Sequence, residues 1–184
     1  MGVIVDLEDA VPLDAKDTAR DALLVAWSGL DAAERARLLV RVNPAGTPWH
    51  EADLTAVASL SGLGAVMLPK AENAQQIEHA FRASGVPVLP LIESAEGVGQ
   101  MDQIARAQGV LRLGLGHIDL LADLGMRCGP DEAELAPVRL ALVVASRRAG
   151  LPAPVDGFVA KRTVQLGQRV AAGTPLMSVI ALNT

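Results

Sequence analysis

The sequence contains no tyrosine, two tryptophans, two phenylalanines and a single cysteine among its 184 residues. A lone cysteine, Cys128, excludes an intramolecular disulfide and a cysteine-rich zinc site, and it favours the reducing cytoplasm as the compartment. No apolar run approaches the ~20 residues of a membrane-spanning helix, and no basic segment leads into an apolar one at the N-terminus. We therefore expect a cytoplasmic protein with no membrane span.

An excess of basic residues is also missing. The chain has 16 Lys and Arg against 21 Asp and Glu, a net charge of −5. A protein that binds the phosphate backbone needs a basic surface, so we expect no nucleic-acid partner. Hydrophobic residues make up 51% of the chain, which is enough for a folded core and excludes a disordered protein.

Apolar runs of strand length alternate with segments in which apolar residues recur every three or four positions. This alternation is typical of a parallel α/β sheet. Six strands and five helices are expected, fewer than a closed (β/α)8 barrel of ~250 residues contains. The predicted strands are Val3–Val5, Leu38–Val42, Ala65–Leu68, Val86–Ile92, Val110–Leu115 and Pro154–Val159, and the predicted helices are Asp14–Trp27, Trp49–Leu60, Ala74–Ser84, Gly97–Ala107 and Glu132–Ala149.

Polar side chains follow the ends of the first five predicted strands. Because the carboxyl ends of parallel strands meet at one face, these residues are expected to share a site. They are Asp6, Glu8 and Asp9; Arg41 and Asn43; Lys70 and Glu72; Glu93 and Ser94; and His117 and Asp119.

Two carboxylates in this set suggest a magnesium site. Glu93 follows the strand in LPLIESAEG, and Asp119 follows the strand in LRLGLGHIDL. Two carboxylates that leave room for water and substrate suit Mg²⁺ better than zinc or a closed calcium cage. The alternative is that Asp119 caps a helix beginning near Leu120.

The role of Arg41 has two interpretations of equal weight. Its guanidinium follows an apolar strand, so it either binds a substrate carboxylate or forms an ion pair with Asp6, Glu8 or Asp9. Strand geometry predicts that Asp6 and Glu8 face one way, with Asp9 facing the other.

Lesser features of the same rim lie near Lys70 and Glu93. Lys70 and Glu72 are expected to support the site. Gly97 and Gly99 either present backbone amides to an anion or reflect flexibility at a helix start, the second being favoured.

The last part of the chain has a different composition. All 21 acidic residues precede Phe158, whereas residues 158–184 contain only basic charges, at Lys161, Arg162 and Arg169. This segment combines short β-prone runs with Gly turns and shows no helical period. We therefore expect a domain over residues 1–157 and a β-hairpin-like tail over residues 158–184.

Five ordered motifs, VIVDLEDAV, VRVNPAGT, VMLPKAE, PLIESAEGV and GHIDLLADLG, resemble those of the HpcH/HpaI aldolase and citrate lyase beta subunit family over residues 2–157. The resemblance implies a TIM barrel and a Mg²⁺-dependent carbon–carbon lyase. Its substrate would be a β-hydroxy acyl-CoA thioester of the citryl-, malyl- or citramalyl-CoA type. Its small-molecule partners would be acyl-CoA compounds or oxo acids. Cleavage would be a retro-aldol or retro-Claisen reaction through a metal-stabilised enolate, in a homo-oligomer of trimer type.

The same resemblance implies roles for individual residues. Glu93 and Asp119 correspond to the metal ligands, with Glu93 also meeting the substrate. Arg41 would bind the substrate carboxylate and take part in catalysis by stabilising the charged oxygens. Glu8 and Asp9 would support the metal-bound waters and take part in catalysis, and the catalytic base is unassigned.

Two departures from the family shape the fold prediction. The first and last barrel strands have no counterpart, so we expect an incomplete TIM barrel of about six βα strands with a short C-terminal β-rich tail. Residues 155–184 resemble half of the lipoyl-like domain of efflux-pump adaptor (membrane fusion) proteins. Within this tail, VAKRTV and LMSVIAL are candidates to pair with an open barrel edge.

Three interpretations follow from the sequence. The chain is a magnesium-dependent lyase, an inactive truncated or chimeric relative, or a binding module related to efflux adaptors.

Overall fold

The computed structural model describes the backbone of residues 2–162 and 177–181 and the side chains of residues 2–156. Six parallel strands lie side by side in chain order, so each connection moves one strand along in the same direction and the sheet curls into an incomplete barrel. An antiparallel strand follows the sixth. The strands are β1 (Val3–Asp6), β2 (Leu38–Arg41), β3 (Ala65–Leu68), β4 (Val88–Ile92), β5 (Gly114–Leu115), β6 (Val155–Arg162) and β7 (Met177–Ala181).

Helices connect the successive parallel strands. Four of the five predicted helices form close to their predicted bounds, whereas the segment Gly97–Ala107 divides into α5 and α6. Two further helices are short: α2 was not predicted, and α7 was considered only as a helix beginning near Leu120, because five and seven residues are too few to show a period. The helices are α1 (Lys16–Trp27), α2 (Ala32–Ala36), α3 (His50–Ala58), α4 (Ala74–Ser84), α5 (Ala95–Gly99), α6 (Met101–Arg106), α7 (His117–Asp123) and α8 (Ala136–Arg148).

The core lies between the sheet and the helices around it. Val40 and Val66 on the strands are fully buried, as are Leu54 of α3 and Ile77 of α4. All four residues of β3 are buried, as expected for a parallel strand in the middle of the sheet. No helix within the described residues is long and apolar enough to cross a membrane.

The predicted orientation of Asp6, Glu8 and Asp9 requires a strand that continues to Asp9, and β1 is shorter than that. β1 stops at Asp6, whose carboxylate accepts hydrogen bonds from the N–H groups of Glu8 (2.9 Å) and Ala10 (3.1 Å). These bonds turn the chain, and Leu7 becomes buried. The prediction that Asp9 faces away from Asp6 and Glu8 was therefore wrong, because strand alternation no longer applies beyond Asp6.

Strand β6 changes its partner along its length. Val155 and Asp156 pair in parallel with Gly114 and Leu115, whereas β6 from Gly157 onward pairs antiparallel with β7. β7 also lies beside β1, with Cα atoms of the two strands within 8 Å of each other. Residues 163–176 and 182–184 lie outside the described residues, and they carry much of the tail's resemblance to efflux adaptors.

Candidate active site

The strand register brings the polar residues to one rim of the sheet. Asp6 lies opposite Arg41 at the ends of β1 and β2, and Ile92 lies opposite Leu115 at the ends of β4 and β5. Glu93 and Gly116 are therefore neighbours one residue beyond the strands. A Cβ atom on Gly116 would lie 2.1 Å from Glu93 Oε2, so a glycine is needed here to leave room for the carboxylate.

Arg41 forms ion pairs with all three acidic residues that follow β1. Its Nε and one terminal nitrogen contact the two oxygens of Asp6 at 2.8 and 2.6 Å. The other terminal nitrogen lies 2.9 Å from Glu8 Oε2 and 3.4 Å from Asp9 Oδ2. Asp6 thus holds one edge of the guanidinium, and the other edge faces Glu8 and Asp9. The ion-pair interpretation of Arg41 describes these contacts.

Glu8 is 5% exposed even though its side chain is acidic. Burial raises its pKa to about 7; Arg41 acts in the opposite direction, and the nearby charges of Asp9 and Asp6 reinforce the rise. The positive charge of Arg41 therefore does not offset the burial of Glu8 and the negative charges of its acidic neighbours.

Glu93 is the second buried carboxylate of the rim, at 4% exposed. Its Oε1 accepts a hydrogen bond from the backbone N–H of Lys70 at 2.7 Å. Burial is the main reason that its pKa rises to about 7; the Lys70 bond opposes the rise, and the charges of Asp119 and Glu8 add to it. Lys70 thus supports the site through its main chain, with a left-handed φ of 48°.

Asp119 lies within α7 rather than before it. The helix begins at His117, so Asp119 occupies the first turn and is half-buried. The alternative that it caps a helix starting near Leu120 was wrong, because the helix starts three residues earlier, with Gly116 at its N-cap position. This early start places the Asp119 carboxylate near enough to raise the pKa of Glu93.

The charges of the rim fit a divalent cation. Asp6, Glu8 and Asp9 contact Arg41, and the charges of Glu8 and Asp119 act on Glu93. The pKa values of Glu8 and Glu93 are both raised to about 7. Buried carboxylates that repel each other are stabilised either by protons or by a cation with hard-oxygen preference. The donor set therefore suits Mg²⁺ better than zinc.

Ser94 and Gly97 connect the rim to α5. The Gly97 N–H donates to Ser94 Oγ, which caps the helix, and Ser94 Oγ donates to Glu72 Oε1. Since its amide is occupied, the suggestion that Gly97 presents an N–H to an anion was wrong. A Cβ on Gly97 would lie 2.7 Å from the Ala71 carbonyl oxygen, so close packing accounts for this glycine rather than flexibility.

A second charged group beside the rim was not found from the sequence. Arg139 of α8 forms ion pairs with Glu132 and with Asp156 of β6. The buried His117 ring lies 3.8 Å from Glu132 and 3.9 Å from Asp156. Asp156 follows an apolar stretch like the other rim residues, but it is not among the predicted site residues.

Comparison with known proteins identifies the family of this chain. The profile of the HpcH/HpaI aldolase/citrate lyase family matches residues 2–174. The chain belongs to this family. The match extends beyond Gly157, the predicted end of the family-like domain.

Two curated relatives, which carry different enzyme names, are similar to this chain. A (3S)-malyl-CoA thioesterase of Cereibacter sphaeroides is 36% identical over 158 residues, covering 84% of this chain and 54% of the relative. Citrate lyase subunit beta of Haemophilus influenzae is 34% identical over 165 residues, covering 82% of this chain and 56% of the relative. The chain thus spans about half the length of the curated relatives that it matches.

Solved structures of the family share the fold. The CitE protein of Mycobacterium tuberculosis in complex with magnesium and acetate aligns with a TM-score of 0.71 and 34% identity, covering 84% of this chain and 63% of that one. The same protein with magnesium, acetoacetate and coenzyme A aligns with a TM-score of 0.70 and 34% identity, covering 84% and 56%. These alignments confirm the α/β fold of an incomplete TIM-like barrel.

Proposed function

We propose that the chain supplies the active site of a Mg²⁺-dependent carbon–carbon lyase for a β-hydroxy acyl-CoA of the citryl-, malyl- or citramalyl-CoA class. The observation that carries the proposal is the buried Glu93 carboxylate, whose pKa is raised by burial and by the charges of Asp119 and Glu8. Family membership and relatives named as malyl-CoA and citrate lyase proteins support the reaction class.

Glu93 and Asp119 are the proposed ligands of the metal, and Glu93 also faces the substrate. Glu8 and Asp9 are proposed to accept hydrogen bonds from water at the metal and so to orient it. A bound Mg²⁺ would act as a Lewis acid that polarises the substrate and stabilises the enolate charge left when the carbon–carbon bond breaks.

Arg41 is proposed to bind the substrate carboxylate through the guanidinium edge that faces Glu8 and Asp9. The Asp9 side chain, which contacts that edge at 3.4 Å, is 66% exposed and belongs to a turn. A substrate carboxylate can take its place without breaking the paired hydrogen bonds to Asp6. Asp6 then acts by positioning Arg41.

The proposal also covers the partners and the cellular compartment. An acyl-CoA or oxo-acid substrate agrees with the coenzyme A and oxaloacetate complexes of the M. tuberculosis protein. A homo-oligomer of trimer type and a cytoplasmic location complete the proposal, the latter supported by the single cysteine.

Residues 158–184 are proposed to form a β-hairpin-like unit apart from the barrel-like domain of residues 1–157. The change of hydrogen-bonding partner at Gly157 supports this boundary. A binding role like that of efflux adaptors rests on the sequence resemblance alone.

The exchange Glu93→Gln tests the lyase. It keeps the volume of the side chain but removes the charge, and we expect Mg²⁺-dependent release of acetyl-CoA from citryl-, malyl- or citramalyl-CoA to fall by roughly 100-fold or more in kcat/KM, since even an outer-shell partner of a metal contributes about 10- to 100-fold. The exchange Glu96→Gln is the matched control, because Glu96 is exposed on α5 and its side chain bonds to Gln100 at the surface.

Calorimetric titration of Mg²⁺ separates the possible outcomes. Weakened Mg²⁺ binding in Glu93→Gln, with turnover in the parent protein, supports the lyase. Binding of Mg²⁺ without turnover of any of the three thioesters supports the inactive relative. Equal turnover by the parent protein and Glu93→Gln rules out the proposed metal site.

A further inference from the structure

A group of possible metal ligands outside the rim lies where α3 meets α4. Ring nitrogens of His50 and His79 and a carboxylate oxygen of Glu51 lie within 4.8 Å of one another. His50 and Glu51 begin α3, and His79 lies in the middle of α4. The group therefore joins two helices that follow different strands.

The His50 ring is held in the orientation that metal-binding histidines commonly have. It is 3% exposed, and its Nδ1 lies 2.7 Å from the Asn43 carbonyl oxygen. A carbonyl oxygen only accepts hydrogen bonds, so Nδ1 carries the proton and Nε2 of the neutral ring bears a lone pair. A backbone carbonyl that receives the far N–H of a histidine is the usual partner that orients a metal ligand.

The other ring nitrogen of His50 is buried without a hydrogen-bond partner among the described residues. A buried acceptor that receives no hydrogen bond is uncommon in folded proteins, and one explanation is an ion. The ring of His79 lies beside it, with the two ring centres 6.2 Å apart. The ring that carries the unpartnered nitrogen therefore belongs to the same group as His79 and Glu51.

His79 and Glu51 already contact each other at the surface. His79 Nε2 lies 2.9 and 3.1 Å from the two oxygens of Glu51. A neutral His79 can carry its proton on Nδ1 instead, which frees Nε2 for a cation without changing the charge of the ring. Both side chains are exposed, so they can move toward the fixed His50 ring.

Asn43 links the group to the rest of the fold. Its side chain donates to Asp53 Oδ2 and to the Leu7 carbonyl oxygen, at 2.6 and 3.0 Å. Asp53 in turn accepts a hydrogen bond from Arg20 of α1. The carbonyl that orients His50 is therefore held in place by neighbouring elements, and the His50 ring is pre-organised for binding.

We propose that His50, Glu51 and His79 form a binding site for Zn²⁺ or a similar transition-metal dication, separate from the carboxylate rim. Two imidazoles and one carboxylate are a common set of three protein ligands for zinc, with the fourth position left to water. Zinc–ligand bonds of about 2.0–2.1 Å in a tetrahedron set the ligand atoms about 3.3 Å apart. The ligand atoms of this group lie within 4.8 Å of one another, so the two exposed side chains need to move toward His50 by at most about 1.5 Å. The imidazoles favour zinc over Mg²⁺.

Zinc titration by calorimetry tests the site on the full-length chain without an affinity tag. Cys128 is replaced by serine throughout, so that its thiol does not bind zinc, and excess Mg²⁺ is present to occupy the carboxylate rim. We expect one zinc per chain, binding at least about tenfold more weakly in His79→Ala and in Glu51→Gln, as for the loss of a metal ligand. These two substitutions are at the surface and leave the core intact. Glu78→Gln, which lies next to His79 on α4 and contacts Arg82, is the control and keeps the parent affinity.

Cobalt supplies a spectroscopic check of the ligands. Co²⁺ bound in four-coordinate geometry has visible absorption that Co²⁺ in water lacks, and we expect it in the parent protein and in Glu78→Gln but not in His79→Ala. The proposal is overturned if the parent protein takes up no zinc, or if His79→Ala and Glu51→Gln bind it as tightly as the parent. It is also overturned if Glu93→Gln alone abolishes binding, because zinc would then occupy the rim.

Discussion

Arg41 contacts the carboxylates of Asp6, Glu8 and Asp9, and these contacts determine which of its nitrogens are engaged. Asp6 holds two of its nitrogens, which leaves the third to Glu8 and Asp9. The sequence left substrate binding and internal ion pairing open with equal weight. Under the proposed function both roles hold, because we propose that the edge held by Asp6 stays in place while a substrate carboxylate replaces Asp9.

The raised pKa of Glu93 predicts how stability depends on pH. Between pH ~4.5 and ~7 the folded protein keeps a proton on Glu93 that the unfolded chain has released, so the free energy of unfolding falls as the pH rises through this range. Without Mg²⁺, we expect Glu93 to contribute a loss of at most about 3.5 kcal/mol by pH 8, because a tenfold difference in proton affinity is equivalent to about 1.4 kcal/mol. Urea unfolding in a chelator at pH 5, 6, 7 and 8 measures this loss.

The substitution Glu93→Gln removes this contribution because glutamine does not titrate. We expect its unfolding free energy to fall less steeply with pH than that of the parent protein, while the exposed-site control Glu96→Gln keeps the parent slope. Saturating Mg²⁺ should oppose the loss, since the cation favours the charged carboxylate. An identical slope for the parent protein and Glu93→Gln would show that Glu93 ionises normally.

The starts of helices α5 and α7 set the positions of the two proposed metal ligands. Glu93 lies between the end of β4 and Ser94, whose hydroxyl caps α5. Asp119 is in the first turn of α7, a helix of seven residues. Strand ends were readable in the sequence because apolar runs stop there, whereas a seven-residue helix is too short to reveal its start.

Packing at α5 predicts different effects for two neighbouring glycines. In Gly97→Ala the new methyl group would lie 2.7 Å from the Ala71 carbonyl oxygen, and we expect a loss of about 1–3 kcal/mol in unfolding free energy because backbone must move. In Gly99→Ala no atom lies within 4 Å of the new Cβ, so we expect no loss and up to about 1 kcal/mol of gain from helix propensity. Urea unfolding of both variants compares them, and equal losses would contradict the close approach to Ala71.

Across the described residues, a curled parallel sheet is followed by an antiparallel strand pair that begins inside its last parallel strand. β6 pairs with β5 through Val155 and Asp156, and it then pairs with β7. Arg139 holds Asp156 from α8. The parallel pairing of β6 therefore ends at Asp156, one residue before the predicted end of the domain.

Two truncations test this boundary. A chain ending at Gly157 keeps both β5–β6 residue pairs and the Arg139–Asp156 ion pair, so we expect a cooperative urea transition and unchanged Mg²⁺ affinity. A chain ending at Pro154 loses both features, and we expect it to be less stable than the first by at least about 1.5–3 kcal/mol, the contribution of a hydrogen bond to a charged group. Loss of cooperative unfolding in the chain that ends at Gly157 would show that residues 158–184 are part of the barrel-like domain.

The sequence by itself determined the family, the α/β class and the rim residues, because apolar strands and the polar residues after them are local features of the chain. Tertiary structure decided which of those residues meet. The contacts of Arg41 with Asp6, of Arg139 with Asp156 and of His50 with His79 join positions 35, 17 and 29 residues apart. Such pairs depend on strand register and helix packing, which no single segment of the sequence specifies.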